Sequence, residues 1–262
     1  MSDFGFITDN IRFSYSGITT FENCPHSYKL TYIDVENKVE NAFGQFGLLI
    51  HHGLEKYFAK EIDIWDLADY YKEKYDEFVT EPYPPNSYVD LGHSYYQAGL
   101  DFFTMFDFDR SKYEVISIED SIEFNMTTDI MAIARPDLVL KDIETGKYIL
   151  FDYKTAKMKT TKKQLAQQIS DYMRQMKLYC YAFWLKTKIE INDVRIWFIR
   201  DNFIYEEQVD YMDIFNTTVW FIETVENIQK ERDWHPLDIE KNKFFCAFIC
   251  SVRNSCKYFN NF

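Results

Sequence analysis

The sequence has little glycine and proline, with 8 Gly and 6 Pro among 262 residues. This scarcity excludes collagen-like and linker-rich architectures. No run of about 18 apolar residues is present, which excludes an ordinary membrane-spanning helix. The first residues carry neither the basic segment nor the apolar segment of an export signal. We therefore expect a cytoplasmic protein that has no membrane partner.

Positive charge and cysteine are scarce as well. The chain has 29 Lys and Arg against 42 Asp and Glu, a net charge of −13, which argues against a protein that coats nucleic acid non-specifically. Five cysteines, an odd number, do not suit a framework of disulfides. Any nucleic-acid contact is therefore expected at a local basic strip or through bound metal ions, and the cysteines are expected to be reduced or metal-bound.

Apolar side chains are plentiful, at 47% of residues, and 19% of residues are aromatic, so a large core is possible and wholesale disorder is excluded. A length of 262 residues is long for one domain and short for two. We predict one domain over residues 1–262. Its parts are a helical N-terminal part (1–110), an α/β core (111–210), and a C-terminal helix with a cysteine segment (211–262).

Hydrophobic periodicity predicts the order of the elements. Helices are predicted at residues 14–33 (in one or two pieces), 44–60, 64–80, 94–107, 162–186 and 211–232. Strands are predicted at residues 113–124, 129–141 and 147–154, followed by a hairpin of residues 193–200 and 203–209. This order predicts the α/β class, with a central mixed β-sheet flanked by helices.

Two aspartates and a lysine form the sharpest chemical signal. Fourteen residues with a turn among them separate Asp137 from Asp152, so a hairpin of their strands brings both carboxylates to one edge of the sheet. Lys154 lies two residues after Asp152 and therefore points to the same face. Two carboxylates and an amine at a sheet edge suit a hard divalent cation such as Mg²⁺ and a reactive water. The alternative is a set of solvated charges at strand ends.

Basic residues concentrate in residues 154–177, which contain seven Lys and Arg and one acid, Asp171. Part of this segment is expected to be a mobile loop that leads into the long helix. We interpret it as a strip that contacts phosphates, whose binding depends on salt; a solvated loop is the alternative. The lysines of this basic strip are Lys157, Lys159, Lys162 and Lys163.

Four of the five cysteines are candidates for one metal site. Three lie within eleven residues near the C-terminus and one lies far upstream, whereas Cys180 falls on the apolar stripe of the long helix and is expected in the core. Four thiolates are the number that a tetrahedral zinc site or an iron–sulfur cluster requires; unrelated buried cysteines are the alternative. The four candidates are Cys24, Cys246, Cys250 and Cys256.

The order of these motifs resembles the PD-(D/E)XK nucleases of the RecB/AddB type, close to the iron–sulfur exonucleases of CRISPR adaptation. The resemblance covers nearly the whole chain and lies in five segments: S-x-S…CP…Y (14–28), G-x-x-x-H…LE (47–55), A-R-P-D (134–137), I-L-F-D-Y-K-T (149–155) and Q-x-x-x-Y (175–179). Ala134 replaces the usual glycine of the third segment. His52 follows His51 in the second, where the register favours His51.

The resemblance implies a restriction-endonuclease-like core and assigns roles to single residues. The implied ligands of a catalytic Mg²⁺ or Mn²⁺ are His51, Asp137, Asp152 and the backbone carbonyl of Tyr153. The implied place of Lys154 is beside the attacking water. Gln175 and Tyr179, four apart on a helix, are implied to organise the site or to contact substrate; packing against the sheet is the alternative.

For the cysteines, the resemblance implies a 4Fe–4S cluster held by Cys24 and the C-terminal trio, joining the two ends of the chain. The spacing departs from the family pattern, because three residues rather than two separate Cys246 from Cys250. Zinc is the alternative cofactor, since four thiolates also suit Zn²⁺.

Together these features predict a metal-dependent deoxyribonuclease. The resemblance favours exonuclease action on single-stranded or frayed DNA ends in recombination, repair or CRISPR adaptation. A helicase, or a recombination or integration protein, is expected to be a separate chain. The alternative is a non-catalytic DNA-binding or scaffold module that retains the nuclease fold and the cluster.

Overall fold

The computed structural model describes residues 11–259, so the N-terminal segment considered above for an export signal lies outside the described residues. The helices are α1 (Tyr15–Asn23), α2 (Pro25–Tyr28), α3 (Ala42–Phe58), α4 (Leu67–Phe78), α5 (Leu91–Thr104), α6 (Lys162–Thr187) and α7 (Tyr211–Lys230). The strands are β1 (Phe13–Ser14), β2 (Tyr113–Ile118), β3 (Ile122–Asn125), β4 (Met131–Ala134), β5 (Leu138–Asp142), β6 (Tyr148–Lys154), β7 (Asp193–Phe198) and β8 (Phe203–Gln208). Short 3₁₀ or π turns lie at Lys29–Ile33, Ile64–Asp66, Arg110–Lys112, Ile199–Asp201, Phe245–Ile249 and Arg253–Ser255.

The chain divides into two compact units. The sheet unit comprises residues 42–122 and 135–214, and the cysteine unit comprises residues 11–41, 123–134 and 215–259 of the described chain. No helix in residues 11–259 is both long and apolar enough to cross a membrane.

The sheet unit is built on five strands in the order β2-β5-β6-β7-β8. Only β6 and β7 pair in parallel, and the long helix α6 connects them, as parallel neighbours require. β7 and β8 form the predicted hairpin, in which Asn202 takes the left-handed conformation (φ 45°) that a tight turn needs. The predicted α/β class with a mixed sheet flanked by helices is confirmed.

Two of the predicted strands were wrong, because each is two strands of different sheets. The segment predicted at 113–124 divides into β2 and β3 where Glu119 adopts a left-handed conformation (φ 49°), which no strand can continue through. The segment predicted at 129–141 divides into β4 and β5 at Arg135-Pro136, because proline cannot donate to a ladder. Alternating hydrophobicity continues across both breaks and hides them.

Helix α3 packs one face against the core of the sheet unit. Its apolar residues at helical spacing, such as Phe46, Leu49 and Ile50, are fully buried in the core with Leu140 and other sheet residues. Gly53 is required here, because a Cβ at this position would lie 2.7 Å from the Phe103 ring of α5. Close packing on this side leaves the opposite stripe of α3 free to carry polar groups.

The cysteine unit contains a three-stranded sheet in the order β1-β4-β3, with β1 and β4 parallel. Ser14 caps α1, because its hydroxyl accepts the backbone N–H of Gly17 at 3.1 Å. Cys24 ends α1 and begins α2, with Pro25 in the first turn. The rest of the C-terminal segment consists of single turns, so this unit has little regular structure around its cysteines.

Candidate active site and cysteine pocket

Asp137 and Asp152 lie side by side at one edge of the five-stranded sheet. β5 and β6 pair antiparallel with Leu138 opposite Phe151, so the next residue outward on each strand is an aspartate. The backbone N–H of Tyr153 donates to Asp137 Oδ2 at 2.6 Å. Asp152 is 2% exposed, and its Oδ2 has no partner with hydrogen-bond geometry among the described residues. Two acids therefore meet in a space that water reaches poorly.

The Lys154 ammonium lies beside these two acids. Its Nζ lies 2.5 Å from Asp152 Oδ2 as an ion pair and donates to Gln175 Oε1 at 2.7 Å. Gln175 Nε2 in turn donates to the Tyr179 hydroxyl at 2.7 Å. Burial alone lowers the pKa of Lys154, but the two nearby aspartates outweigh burial and raise it. Gln175 and Tyr179 thus reach the site from α6 and orient its lysine.

The structure distinguishes the two adjacent histidines. His51 Nδ1 lies 3.3 Å from Glu119 Oε1 and 3.7 Å from Asp137 Oδ1. His52 points to a different neighbour, since its Nδ1 lies 2.5 Å from the Tyr70 hydroxyl. The histidine that joins the acids is therefore His51.

Glu119 is the site residue that sequence reasoning missed. β2 pairs with β5 so that Ile118 lies opposite Leu138, and this register puts Glu119 beside Asp137, whose carbonyl accepts the Glu119 N–H at 3.0 Å. Arg135 binds Glu119 twice, through Nη2 to Oε2 at 2.7 Å and through Nε to the carbonyl at 2.8 Å. Glu119 directly follows β2, but hydrophobic periodicity placed it inside one predicted strand at 113–124 and so gave it no role.

The charges at this edge are strongly coupled. Burial, with the Asp152 carboxylate as the second cause, raises the pKa of Asp137 to about 7. Burial lowers the pKa of His51, but Asp137 and Glu119 together raise it above its ordinary value. The hydrogen bond from His51 lowers the pKa of Glu119. The edge therefore gathers three carboxylates, of Glu119, Asp137 and Asp152, beside three basic groups, of His51, Arg135 and Lys154.

The comparisons with known proteins agree with this geometry. The profile of one family, the PD-(D/E)XK nuclease superfamily, matches residues 12–257. The chain belongs to this superfamily. A crystal structure of a candidate exonuclease from Eubacterium rectale resembles the fold with a TM-score of 0.55 and 12% sequence identity, over 97% of this chain and 90% of that one. No curated protein sequence matches the chain.

The donor set suits the divalent ion that PD-(D/E)XK nucleases typically use. Asp137 and Asp152 supply hard oxygen ligands, and the buried Oδ2 of Asp152 already has a cation, the Lys154 ammonium, as its neighbour. Tyr153, whose carbonyl is the remaining predicted ligand, packs its ring 5.4 Å from the His51 ring. No group of three His, Cys, Asp or Glu side chains in residues 11–259 already has the geometry of a metal site. The residues fit the ion by chemistry and proximity.

The basic strip follows β6, its side chains are exposed, and its backbone is hydrogen-bonded to other parts of the sheet unit. The buried amide of Gln168 bonds the strip at two points: it accepts the Lys159 N–H at 2.9 Å and donates to the Lys157 carbonyl at 3.1 Å. Asp201 accepts the Met158 N–H at 2.8 Å. The strip's lysine side chains point outward from a fixed backbone and make no ion pair in the described part of the chain.

The four candidate cysteines line one small cavity of about 20 Å³ in the cysteine unit. Cys24 Sγ accepts the backbone N–H groups of Ser27 and Leu237, each at 3.4 Å. Cys250 Sγ lies 3.8 Å from the Ser27 hydroxyl. Cys246 lies in the Phe245–Ile249 turn and Cys256 just after the last 3₁₀ turn. The fold thus gathers one upstream and three C-terminal thiols, as a shared site requires.

Burial raises the pKa of the Cys246 and Cys250 thiols, and the neighbouring sulfurs raise both further. Two backbone N–H groups aimed at one sulfur are a common support for a metal-bound thiolate. The space that this cavity leaves for the centre of a water-sized probe is about that of one water. Cys180 lies apart in the core of α6, where burial raises its pKa to about 12.

Proposed function

We propose that this member of the PD-(D/E)XK superfamily is a divalent-metal-dependent deoxyribonuclease that removes nucleotides from single-stranded or frayed DNA ends. The observation that carries the proposal is the meeting of Asp137, Asp152, Lys154 and His51 at one edge of the sheet. A non-catalytic scaffold has no need of a buried acid pair that a lysine and a histidine both contact. The RecB/AddB-type resemblance supports the exonuclease assignment.

The metal in this proposal is Mg²⁺ or Mn²⁺, held by His51, Asp137, Asp152 and the Tyr153 carbonyl. Such an ion polarises a phosphoryl oxygen and activates a bound water. The protein supplies the rest. Arg135 fixes Glu119, Glu119 orients His51, and the Tyr153 N–H orients Asp137, so the ligands are arranged before substrate arrives.

Lys154 acts as a fixed positive charge in this proposal. Its pairing with Asp152 keeps the ammonium protonated, and Gln175 limits its movement. An ammonium in this place stabilises negative charge that develops on the phosphate, and it orients a water by donating to it. It is not expected to act as a general base, because a base must first be deprotonated.

The basic strip is the proposed contact with the DNA backbone. Its lysines are exposed, directly follow the Asp152–Lys154 strand, and have no carboxylate partner in the described part of the chain. The remainder of this acidic protein repels nucleic acid, which favours binding at this one place. An unwinding or recombination partner is proposed to be a separate chain.

The cysteine pocket is proposed to hold a metal centre that stabilises the fold, a 4Fe–4S cluster by family resemblance or Zn²⁺ by the size of the cavity. Anaerobically purified protein distinguishes the two. A cluster gives broad visible absorption that dithionite bleaches and about four iron per chain, and zinc gives a colourless protein with one zinc. A protein with neither metal contradicts the proposed centre.

The decisive test of the nuclease is degradation of labelled single-stranded DNA with Mg²⁺ or Mn²⁺. We expect Asp152→Asn and Lys154→Gln each to lose at least about a hundredfold in rate, since each removes a charge that acts on the phosphate. Asp142→Asn is the matched control, because Asp142 ends β5 at the opposite edge of the same hairpin. Equal rates in wild type and Asp152→Asn would refute the nuclease. Degradation of circular single strands would refute the exonuclease assignment alone.

A further inference from the structure

Arg200 lies at the same sheet edge as the candidate active site. β7 is the parallel neighbour of β6, with Phe198 opposite Lys154. Arg200 follows Phe198 by two residues, in the Ile199–Asp201 turn. Parallel strands lie about 4.8 Å apart and rise about 3.3 Å per residue, so the backbone of Arg200 is about 10 Å or less from that of Lys154.

The guanidinium of Arg200 lies over an aromatic ring and lacks an acidic partner among the described residues. Its central carbon is 3.9 Å from the centre of the Tyr95 ring, which itself contacts Phe43 and Tyr83 at 5.1 Å between ring centres. Its Nε is buried and has no hydrogen-bond partner. No ion pair joins it to a carboxylate anywhere in residues 11–259. Stacking therefore fixes the cation but leaves its charge unsatisfied.

A second arginine of the same strand shows the contrast. Arg195 Nε lies 3.2 Å from Asp193, and its Nη1 lies 3.4 Å from Glu206. Its charge is therefore neutralised within the protein. Arg195 lies inside β7 and Arg200 in the turn that follows it, and the two arginines differ in having or lacking carboxylate partners.

Arg200 also faces open space. It lines a cavity of about 460 Å³ between α5 and the Ile199–Asp201 turn. The two acids in this lining are already used, since Asp101 accepts Gln97 at 2.7 Å and Asp201 accepts the Met158 N–H of the basic strip. The contact with Met158 connects this cavity directly to the backbone of the basic strip.

We propose that Arg200 binds a phosphate of the DNA strand, next to the phosphate that is cleaved, and that Tyr95 holds its guanidinium flat for that contact. This proposal rests on the proposed function. A planar, unpaired guanidinium presents two parallel N–H donors to two phosphate oxygens. Asp201, the next residue, binds the backbone of the basic strip at Met158. Arg200 and the basic strip together then define the direction in which the DNA strand crosses the sheet edge.

The test uses the Asp152→Asn chain, which retains the binding surface without degrading the probe. Binding of a fluorescent oligothymidylate is measured by anisotropy between about 50 and 300 mM salt. Adding Arg200→Gln is expected to weaken binding about tenfold and to reduce the slope of log affinity against log salt by about 0.7, the value for one phosphate contact on a single strand. Arg195→Gln is the matched control and is expected to leave the slope unchanged.

Two further outcomes are decisive. Arg200→Lys keeps the positive charge but loses the paired N–H donors of the guanidinium. The proposal therefore expects the salt slope to be retained and the DNA affinity to lie between those of the unchanged Arg200 and Arg200→Gln. If Arg200→Gln lowers affinity and Tm with an unchanged slope, Arg200 is only a packing residue and the proposal is overturned. Failure of the proposed nuclease activity gives a different result. If the wild-type protein binds DNA with a salt slope that depends on Arg200 but never hydrolyses it, the nuclease proposal is refuted and the phosphate contact is retained.

Discussion

The carboxylate edge of the sheet unit and the cysteine pocket of the cysteine unit differ in what supports them. The acids lie at the ends of paired strands, and hydrogen bonds from Tyr153, Lys154 and Arg135 orient their surroundings. The cysteines lie in or beside short turns, where Cys24 receives two backbone N–H bonds and Cys250 receives one from Val252. The sheet therefore arranges its site through paired strands, whereas the proposed metal centre would add support to a unit with little regular structure around its thiols.

Charge compensation differs in the same way. Lysine, arginine and histidine side chains all contact the carboxylates, so the sheet edge is partly neutralised in the protein itself. In the pocket, burial keeps the Cys246 and Cys250 thiols protonated at neutral pH. A metal must displace those protons, and the free energy it then supplies contributes directly to folding.

The largest effect is expected from removing a pocket thiol. Cys24→Ser keeps the cap on α2, because a serine hydroxyl also accepts the Ser27 N–H, but it removes one metal ligand. We expect the metal-loaded protein to lose several kcal/mol of unfolding free energy, since structural thiolate sites supply on the order of 10 kcal/mol. Thermal denaturation with metal analysis measures the loss.

Cys180→Ala is the control for this prediction, because Cys180 is a core thiol outside the pocket. It is expected to retain the metal and to lose only about 1 kcal/mol through its small cavity. A Cys24→Ser protein with full metal content and an unchanged Tm would contradict the proposal that bound metal supports the cysteine pocket.

The second prediction concerns pH in the presence of a chelator. Asp137 has a pKa of about 7 when folded and about 3.9 when unfolded, so the folded protein binds the extra proton between these values. Stability therefore falls as pH rises from 5 to 8, and the raised pKa of His51 acts in the same direction. The expected fall is on the order of 3 kcal/mol in urea unfolding.

Asp137→Asn is expected to remove most of this dependence while abolishing nuclease activity. Asp142→Asn is the control, because hydrogen bonds from Thr145 lower the pKa of that carboxyl and place its titration below pH 5. The same pH dependence in Asp137→Asn and wild type would assign the effect to other groups. A stability that instead rises with pH would contradict the buried, uncompensated acid pair.

Local sequence was sufficient for the hairpin and its acids. The apolar runs within residues 138–142 and 148–154 and the turn between them give the β5–β6 hairpin, and its register places Asp137 beside Asp152. Local sequence also sufficed for the long helix, which was predicted at 162–186 and is observed as Lys162–Thr187. These features are fixed by neighbours along the chain.

What could not be predicted depends on distant segments. Glu119 reaches the site only through the pairing of β2 with β5, and nothing in its own neighbourhood specifies that partner. The same holds for the flat packing of Arg200 on Tyr95, since 105 positions separate them. The fixed backbone of the basic strip was missed because one buried amide, Gln168, replaces the hydrogen bonds of regular structure.

A smaller effect is expected from Glu119, which acts on the site through His51. Glu119→Ala is expected to weaken Mn²⁺ binding about 10- to 100-fold, as loss of a group that orients a metal ligand commonly does. Glu119→Gln keeps a hydrogen-bond acceptor for His51, and its Mn²⁺ affinity is expected to lie between those of wild type and Glu119→Ala. Isothermal titration with Mn²⁺ measures the affinity without activity. Asp120→Asn is the control, because that neighbouring acid accepts the Ser117 hydroxyl instead.

Reversing the charge of the basic strip is expected to have the smallest effect on the structure and a clear effect on DNA binding. Changing its four lysines to Glu is expected to reduce the salt slope of single-stranded DNA binding by up to about 3, with little change in Tm, because Gln168 and Asp201 hold the loop through its backbone. The matched control reverses four exposed lysines elsewhere in the sheet unit and changes the net charge equally. If both variants bind alike, binding follows net charge alone and the strip is a solvated loop. The control lysines are Lys112, Lys147, Lys186 and Lys188.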